Sequence, residues 1–236
     1  ANSTLTLSGG SFDVTGQITG GTSSDFNSDL VVNDGATVTL DNSNNNYTGP
    51  TSVYGSSTLK DGVGTLPTGT VLTLGDNSDG AVANTYDLNG DNQSIAALDS
   101  ISHGGNSNTV TNNGGSAVTL TLTGLNSDNS PASSTFNGII EDGTSTLAMS
   151  ITGGTHTLSG ANIYSGGTTV TNGTLQVDNT SGSGTGSGNV QVNSGAVLSG
   201  TGIIAPNVSS GVTIADGAQI IPGGAPNGTQ ANGSLT

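Results

Sequence analysis

The chain has 236 residues, of which 40 are Gly, 3% are aromatic, 7% charged and 30% hydrophobic, leaving too few large side chains for a thick globular core. Sixteen acids against the single cation Lys60 give a formal charge of -15, so nucleic acid and anionic lipid are excluded as partners for want of the Lys and Arg clusters that bind phosphate. The absence of Cys excludes a disulfide framework and a thiolate metal site.

Taken in chain order, short runs with Val, Leu, Ile and Thr at period two predict half-buried strands at Ser3 to Leu7, Ala36 to Leu40, Val118 to Leu122 and Thr168 to Val170. Pairs such as Asp34-Gly35, Asn172-Gly173 and Asp216-Gly217 supply the positive φ angles of the tight turns between strands. No stretch has helical spacing, and no apolar run approaches the roughly eighteen residues that span a bilayer, so the chain reads as all-β with no direct membrane insertion. No basic and then apolar leader opens at Ala1, so any secretion signal is expected outside this stretch.

An internal repeat is visible. The segment from Asn45, "NNYTGPTSVYGSSTLKDGVGTLPTGTVLTLG", matches that from Asn162, "NIYSGGTTVTNGTLQVDNTSGSGTGSGNVQV". Tyr47 answers Tyr164, Gly49 answers Gly166 and Val53 answers Val170; one extra residue in the first copy's turn then makes Leu59 answer Leu175. The copies, near 45–75 and 162–192, lie about 117 residues apart, far more than the roughly 20–45 residues of a solenoid repeat, so several rungs make one super-repeat. The Ser/Gly/Thr run Ser181 to Asn189 reads as a loop on a rung at the place of Gly62 to Gly69 in the first copy. Pro50 stands where the second copy has Gly167, at a point that must tolerate a missing N–H. With no linker in between, the chain is expected to be one continuous section over 1–236.

The stretch Leu158 to Val177, "LSGANIYSGGTTVTNGTLQV", with Gly166, Gly167, Val170, Gly173 and Leu175 in the motif, resembles the autotransporter-associated β-strand repeat. The similarity extends over the chain from about Leu30 onward, residues 1–29 matching less clearly. It implies an all-β, right-handed parallel β-helix of the pectin-lyase-like kind, displayed on or secreted from a Gram-negative-type bacterium. About ten rungs at roughly 4.8 Å make a rod about 50 Å long, with a narrow column of Val, Leu, Ile and Ala inside which large aromatics do not fit. Tyr47 and Tyr164, at equivalent positions, read as packing residues of a rung corner.

The implied role is a non-catalytic structural or adhesive scaffold that meets cell-surface or matrix components. The alternative is a filament or matrix subunit stacking on itself through open solenoid ends. A polysaccharide-acting enzyme on the same fold is the third reading, and the residues give it little. There is no Arg, the adjacent acids Glu141-Asp142 read as a turn, and His103 and His156 read as surface residues. No cofactor motif is present. Calcium is the one ion with candidate ligands, at Asp76, Asp79 and Asp87, whose spacing fits neither an EF-hand nor a nonapeptide calcium repeat, so solvated turn residues are the competing reading.

Overall fold

The computed structural model describes residues 3–20, 28–63, 66–78, 80–105, 107–207 and 209–223. Its strands, in chain order, begin with β1 (Ser3–Ser8), β2 (Ser11–Val14), β3 (Ser28–Asn33), β4 (Thr37–Leu40), β5 (Thr51–Val53), β6 (Thr58–Asp61) and β7 (Val71–Leu74). There follow β8 (Ala83–Asp87), β9 (Gln93–Ile95), β10 (Ala97–Ser100), β11 (Ser107–Thr111), β12 (Val118–Leu122), β13 (Ser133–Phe136), β14 (Ile139–Ile140) and β15 (Leu147–Ile151). The last are β16 (Thr155–Leu158), β17 (Thr168–Val170), β18 (Thr174–Val177), β19 (Val190–Val192), β20 (Val197–Gly200), β21 (Val212–Ile214) and β22 (Gln219–Pro222). Among the described residues there is no helix, hence none long and apolar enough to cross a membrane.

Every pairing between named strands is parallel and joins one turn of the chain to the next. Leu30 pairs with Thr51, Val190 with Val212 and Thr109 with Ile139, offsets of 21, 22 and 30 residues per turn. About nine turns result, close to the expected ten. Three faces form. The first carries β1, β3, β5, β7 and β10 and, above a seam, β13, β16, β18, β20 and β22. The second carries β2, β4, β6, β8, β11 and β14, and the third β9, β12, β15, β17, β19 and β21.

Irregular segments complete the two faces that lack strands at one end. Below β9, the Asn46 N–H donates to Ile18 O at 3.0 Å, and the Gln93 side chain brackets Leu66, accepting from its N–H at 2.9 Å and donating to its carbonyl at 3.0 Å. Above β14, Ile163 N donates to Ile140 O, Asn162 N to Ser183 O and Gly184 N to Ile203 O, at 2.7–2.9 Å. The Ser181 to Asn189 run is thus a non-strand segment of a rung, as expected, and its middle forms wall, with Ser183, Gly184, Thr185 and Gly186 all buried.

The strands form because alternation sends one set of side chains inward and stacks like on like. One column of the second face runs Phe12, Val38, Leu59, Tyr86, Val110, Ile140 in register. On the third, Ile95, Leu122, Ile151, Val170 and Val192 stack as an aliphatic column, and each is at most 1% exposed. Asp34 and Gly35, at φ 55° and 75°, turn the corner between β3 and β4, as their sequence predicts.

Aromatics do fit inside, contrary to expectation. Tyr47, Tyr86, Tyr164 and Phe136 are the largest fully buried side chains. Space comes from glycine on adjoining segments. A Cβ at Gly186 would stand 3.0 Å from the Tyr164 ring, and one at Gly138 2.6 Å from the Phe136 ring. The low-complexity run read as a loop on a rung is small because it closes over a tyrosine.

Candidate functional site

Both copies of the repeat build the same corner. Tyr47 Oη shares a 2.6 Å hydrogen bond with Thr51 Oγ1, and Tyr164 Oη shares one of 2.6 Å with Thr168 Oγ1. Each phenol is buried with its hydroxyl satisfied, and desolvation raises both tyrosine pKa values. Asn45 and Asn162 sit two residues before the tyrosines, and their side-chain oxygens accept from Ile18 N at 2.9 Å and Ile140 N at 2.8 Å on the turn below. Gly49 N donates to Ser28 O at 3.1 Å and Gly166 N to Leu147 O at 2.9 Å, so close that a Cβ at either position would collide with those same carbonyls.

Pro50 and Gly167 also correspond, since Leu30 N donates to Pro50 O and Met149 N to Gly167 O. The corner needs a carbonyl there and no N–H, which is why Pro is accepted. Gly167 reaches the same bond at φ 87°. Val53, Val170, Leu59 and Leu175 are fully buried, and the extra residue of the first copy lies in the turn between β5 and β6. Gly173, at φ 77°, turns the chain into β18, where a Cβ would lie 2.5 Å from Gly154 O.

The copies differ in azimuth. The first passes from the first face (β3) through the second (β4) to Tyr47 on the third; the second copy passes from the third face (β15) through the first (β16) to Tyr164 on the second. The second repeat is turned one face around the axis.

An acid and a histidine, Asp61 and His156, are fully buried in the core. Asp61 follows Leu59 by two on β6 and is fully buried where the second copy has Val177. Tyr86 Oη donates to Asp61 Oδ2 at 2.5 Å, while Asp61 Oδ1 has no partner. Desolvation drives the Asp61 pKa well up, against the Tyr86 hydrogen bond, with Asp91 and Asp87 adding repulsion. A group whose folded pKa is raised stabilises fully below its unfolded value and loses that contribution as pH climbs through the folded pKa. Asp61→Asn keeps an acceptor for Tyr86 and cannot ionise; it is expected to gain about 1–3 kcal/mol over the parent near pH 8 and little near pH 4, read from urea midpoints at both.

His156 corrects the surface reading. It is fully buried on β16, in the column Ser134, His156, Leu175, Leu198. Its Nε2 lies 3.1 Å from Gly153 O and its Nδ1 2.7 Å from Ser134 Oγ. A carbonyl only accepts, so Nε2 carries the proton and Nδ1 accepts from the serine hydroxyl. Burial lowers its pKa from 6.5 to about 4. The serine–histidine pair faces the core and is held as packing. The signal was in the chain: His156 alternates with Thr155 and Thr157 in step with inward Leu158. His103, by contrast, is exposed.

Of the calcium candidates, Asp76 and Asp87 each spend their carboxylate on hydrogen bonds within the wall. Asp76 Oδ1 accepts from Ser78 N and Ser78 Oγ, both at 2.7 Å, bracing its own turn. Asp87 Oδ1 accepts from Asn89 N and Asn113 N at 2.9 Å, and its Oδ2 accepts from Asn113 Nδ2 at 3.3 Å and stands 3.8 Å from Lys60 Nζ. Asp79 lies outside the described residues. Among the described residues no three His, Cys, Asp or Glu side chains converge as a metal-binding group. Glu141-Asp142 is a turn, as read: Asp142 Oδ1 accepts from Leu147 N at 2.8 Å and Ser165 N at 3.0 Å, tying that turn to the next rung.

A family model described as passenger-associated-transport-repeat matches residues 30–55 and 153–177. No curated protein and no solved structure matches the chain. The first match runs from β3 through Tyr47 past β5, and the second from just before β16 through Tyr164 to the end of β18, so each holds one corner. The chain is a parallel β-solenoid with two segments that match the passenger-associated-transport-repeat model, consistent with an autotransporter passenger with β repeats.

Proposed function

We propose that this chain is a section of a surface-displayed or secreted bacterial passenger and serves as a non-catalytic scaffold, a stiff rod that carries or forms an adhesive surface toward cell-surface or matrix components. The observation that carries this reading is how the polar side chains are used. Asp87, Asp142, Asn45, Asn162 and Gln93 spend their hydrogen bonds on the wall of neighbouring turns. The repeat likeness supports display outside a Gram-negative cell. Displayed on a non-adherent bacterial host, the rod is expected to raise retention on matrix-coated or cell-coated surfaces severalfold over an unrelated solenoid of equal charge. Equal retention of the two sinks the adhesive part of the reading, and turnover of pectin or alginate by the purified rod sinks the non-catalytic part.

Self-association by end-to-end stacking is a second reading, with Leu5, Val212 and Ile220 on the outermost described strands 40%, 44% and 47% exposed. Light scattering across a concentration series distinguishes it: mass that grows with concentration supports stacking, and constant monomer mass ends it.

A further inference from the structure

The first face is interrupted once. Between β10 and β13 the hydrogen bonds pass through side chains, with Thr135 N donating to Asp99 Oδ1 and Asn137 N to Ser100 Oγ, both at 2.7 Å. β10 and β13 are not paired as neighbouring strands in either of the sheets they belong to, so on this face the two turns lack a parallel ladder, while β11–β14 and β12–β15 keep theirs on the other two faces. A solenoid is a one-dimensional stack in which each turn is secured by its neighbours, so a turn that lacks one of its three ladders is where local opening costs least.

Directly over this seam the chain spends extra residues. The corner between β15 and β16 uses only residues 152–154, whereas that between β12 and β13 uses 123–132. The excess is a small hairpin: Leu125 bridges Pro131 antiparallel, Asn126 N donates to Ser130 O at 3.0 Å, Asn129 turns at φ 62°, and Ala132 N returns to Gly124 O at 2.8 Å. It leans against the turns below. Ser127 Oγ donates to Thr48 O at 3.1 Å, across 79 residues of sequence. Ser127 also lies against Gly69 so closely that a Cβ there would stand 2.6 Å from its N and Cα. Ala132 packs with Ala96, Ala97 and Val71 as an apolar cluster separate from the main column. Thr48, Gly69 and Ala96 occupy the same corner on three successive lower turns, immediately before β5, β7 and β10.

We propose that the hairpin Gly124 to Ala132 is a clasp that bridges the seam, fastening the strand above it to corners up to three turns below and making the two parts of the rod open together. Its Ala contacts and the Ser127 hydrogen bond replace, from outside, the ladder that the seam omits. The role is independent of what the rod displays.

Hydrogen exchange read strand by strand on the full chain tests this. Replacing residues 125–131 by an Asn-Gly turn is expected to speed exchange about tenfold in β5, β7 and β10 while leaving β17 to β20 unchanged. Gly69→Ala keeps the hairpin but drives it off its seat, because the contact is with backbone; the same pattern at smaller amplitude is expected. Unchanged exchange in β5, β7 and β10 overturns the proposal, as does an equal rise over all strands, which marks general destabilisation. Should the shortened chain fail to fold, Gly69→Ala decides by the same two readouts.

Discussion

Replacing Tyr164 by Ala is expected to lower the unfolding free energy by about 3–5 kcal/mol, the range for deleting a buried aromatic that its neighbours cannot collapse upon. The cavity stays open because the ring is closed in partly by backbone at Gly186, whose segment is pinned by the Gly184 N–H to Ile203 O and the Ser187 N–H to Tyr164 O. Tyr164→Phe removes only the hydroxyl. Thr168 Oγ1 keeps its 3.3 Å bond to Thr185 O, so a loss of about 1 kcal/mol is expected. Tyr47→Ala should repeat the larger effect at the other corner. Urea titration of each variant gives the comparison, and a Tyr164→Ala chain within about 1 kcal/mol of the parent contradicts this account of the corner.

Acidification should weaken the rod through His156. Its folded pKa, about 4, is below its unfolded value of 6.5, so between these limits the unfolded chain takes a proton that the folded chain refuses. Stability from this group is whole above the window and falls as pH drops through it, by about 3 kcal/mol at about 1.36 kcal/mol per unit. Asp61 and Asp99, whose pKa values are raised mainly by desolvation, pull the other way, so the overall pH profile does not isolate the histidine. The double variant Ser134→Ala with His156→Leu does, since it restores the leucine of the next two turns and leaves no orphaned serine hydroxyl. Unfolding midpoints at about pH 7.5 and about pH 4 should show the parent losing roughly 3 kcal/mol relative to the double variant. An equal change in both chains shows that His156 does not titrate within the folded rod in this range.

The rungs and the repeat were legible in the residues because parallel stacking imposes period two on every strand and equal chemistry on every equivalent corner. Even the one-residue slip between Val53 and Leu59 is real, lying in the turn from β5 to β6. What escaped has physical causes. Tyr164 is buried by glycines some twenty residues further along, a relation set by turn length and invisible in local pattern. His156 was misread because residue type was weighed above alternation. Asp61 stands at an inward position beside a partner, Tyr86, 25 residues away. The clasp is composed of ordinary turn residues, and only stacking brings Ser127 to Thr48.

The one-face turn between the repeats sets a rule for valency. A straight partner lying parallel to the axis can meet the loops around one of the two tyrosine corners but finds a different side of the rod at the height of the other. Two identical modules on a short linker therefore gain no avidity from this pair, because effective concentration vanishes when the linker cannot span the sites. A partner that winds around the rod, or a linker long enough to pass its edge, gains it in full. Repetition along this chain multiplies directions rather than copies on one side.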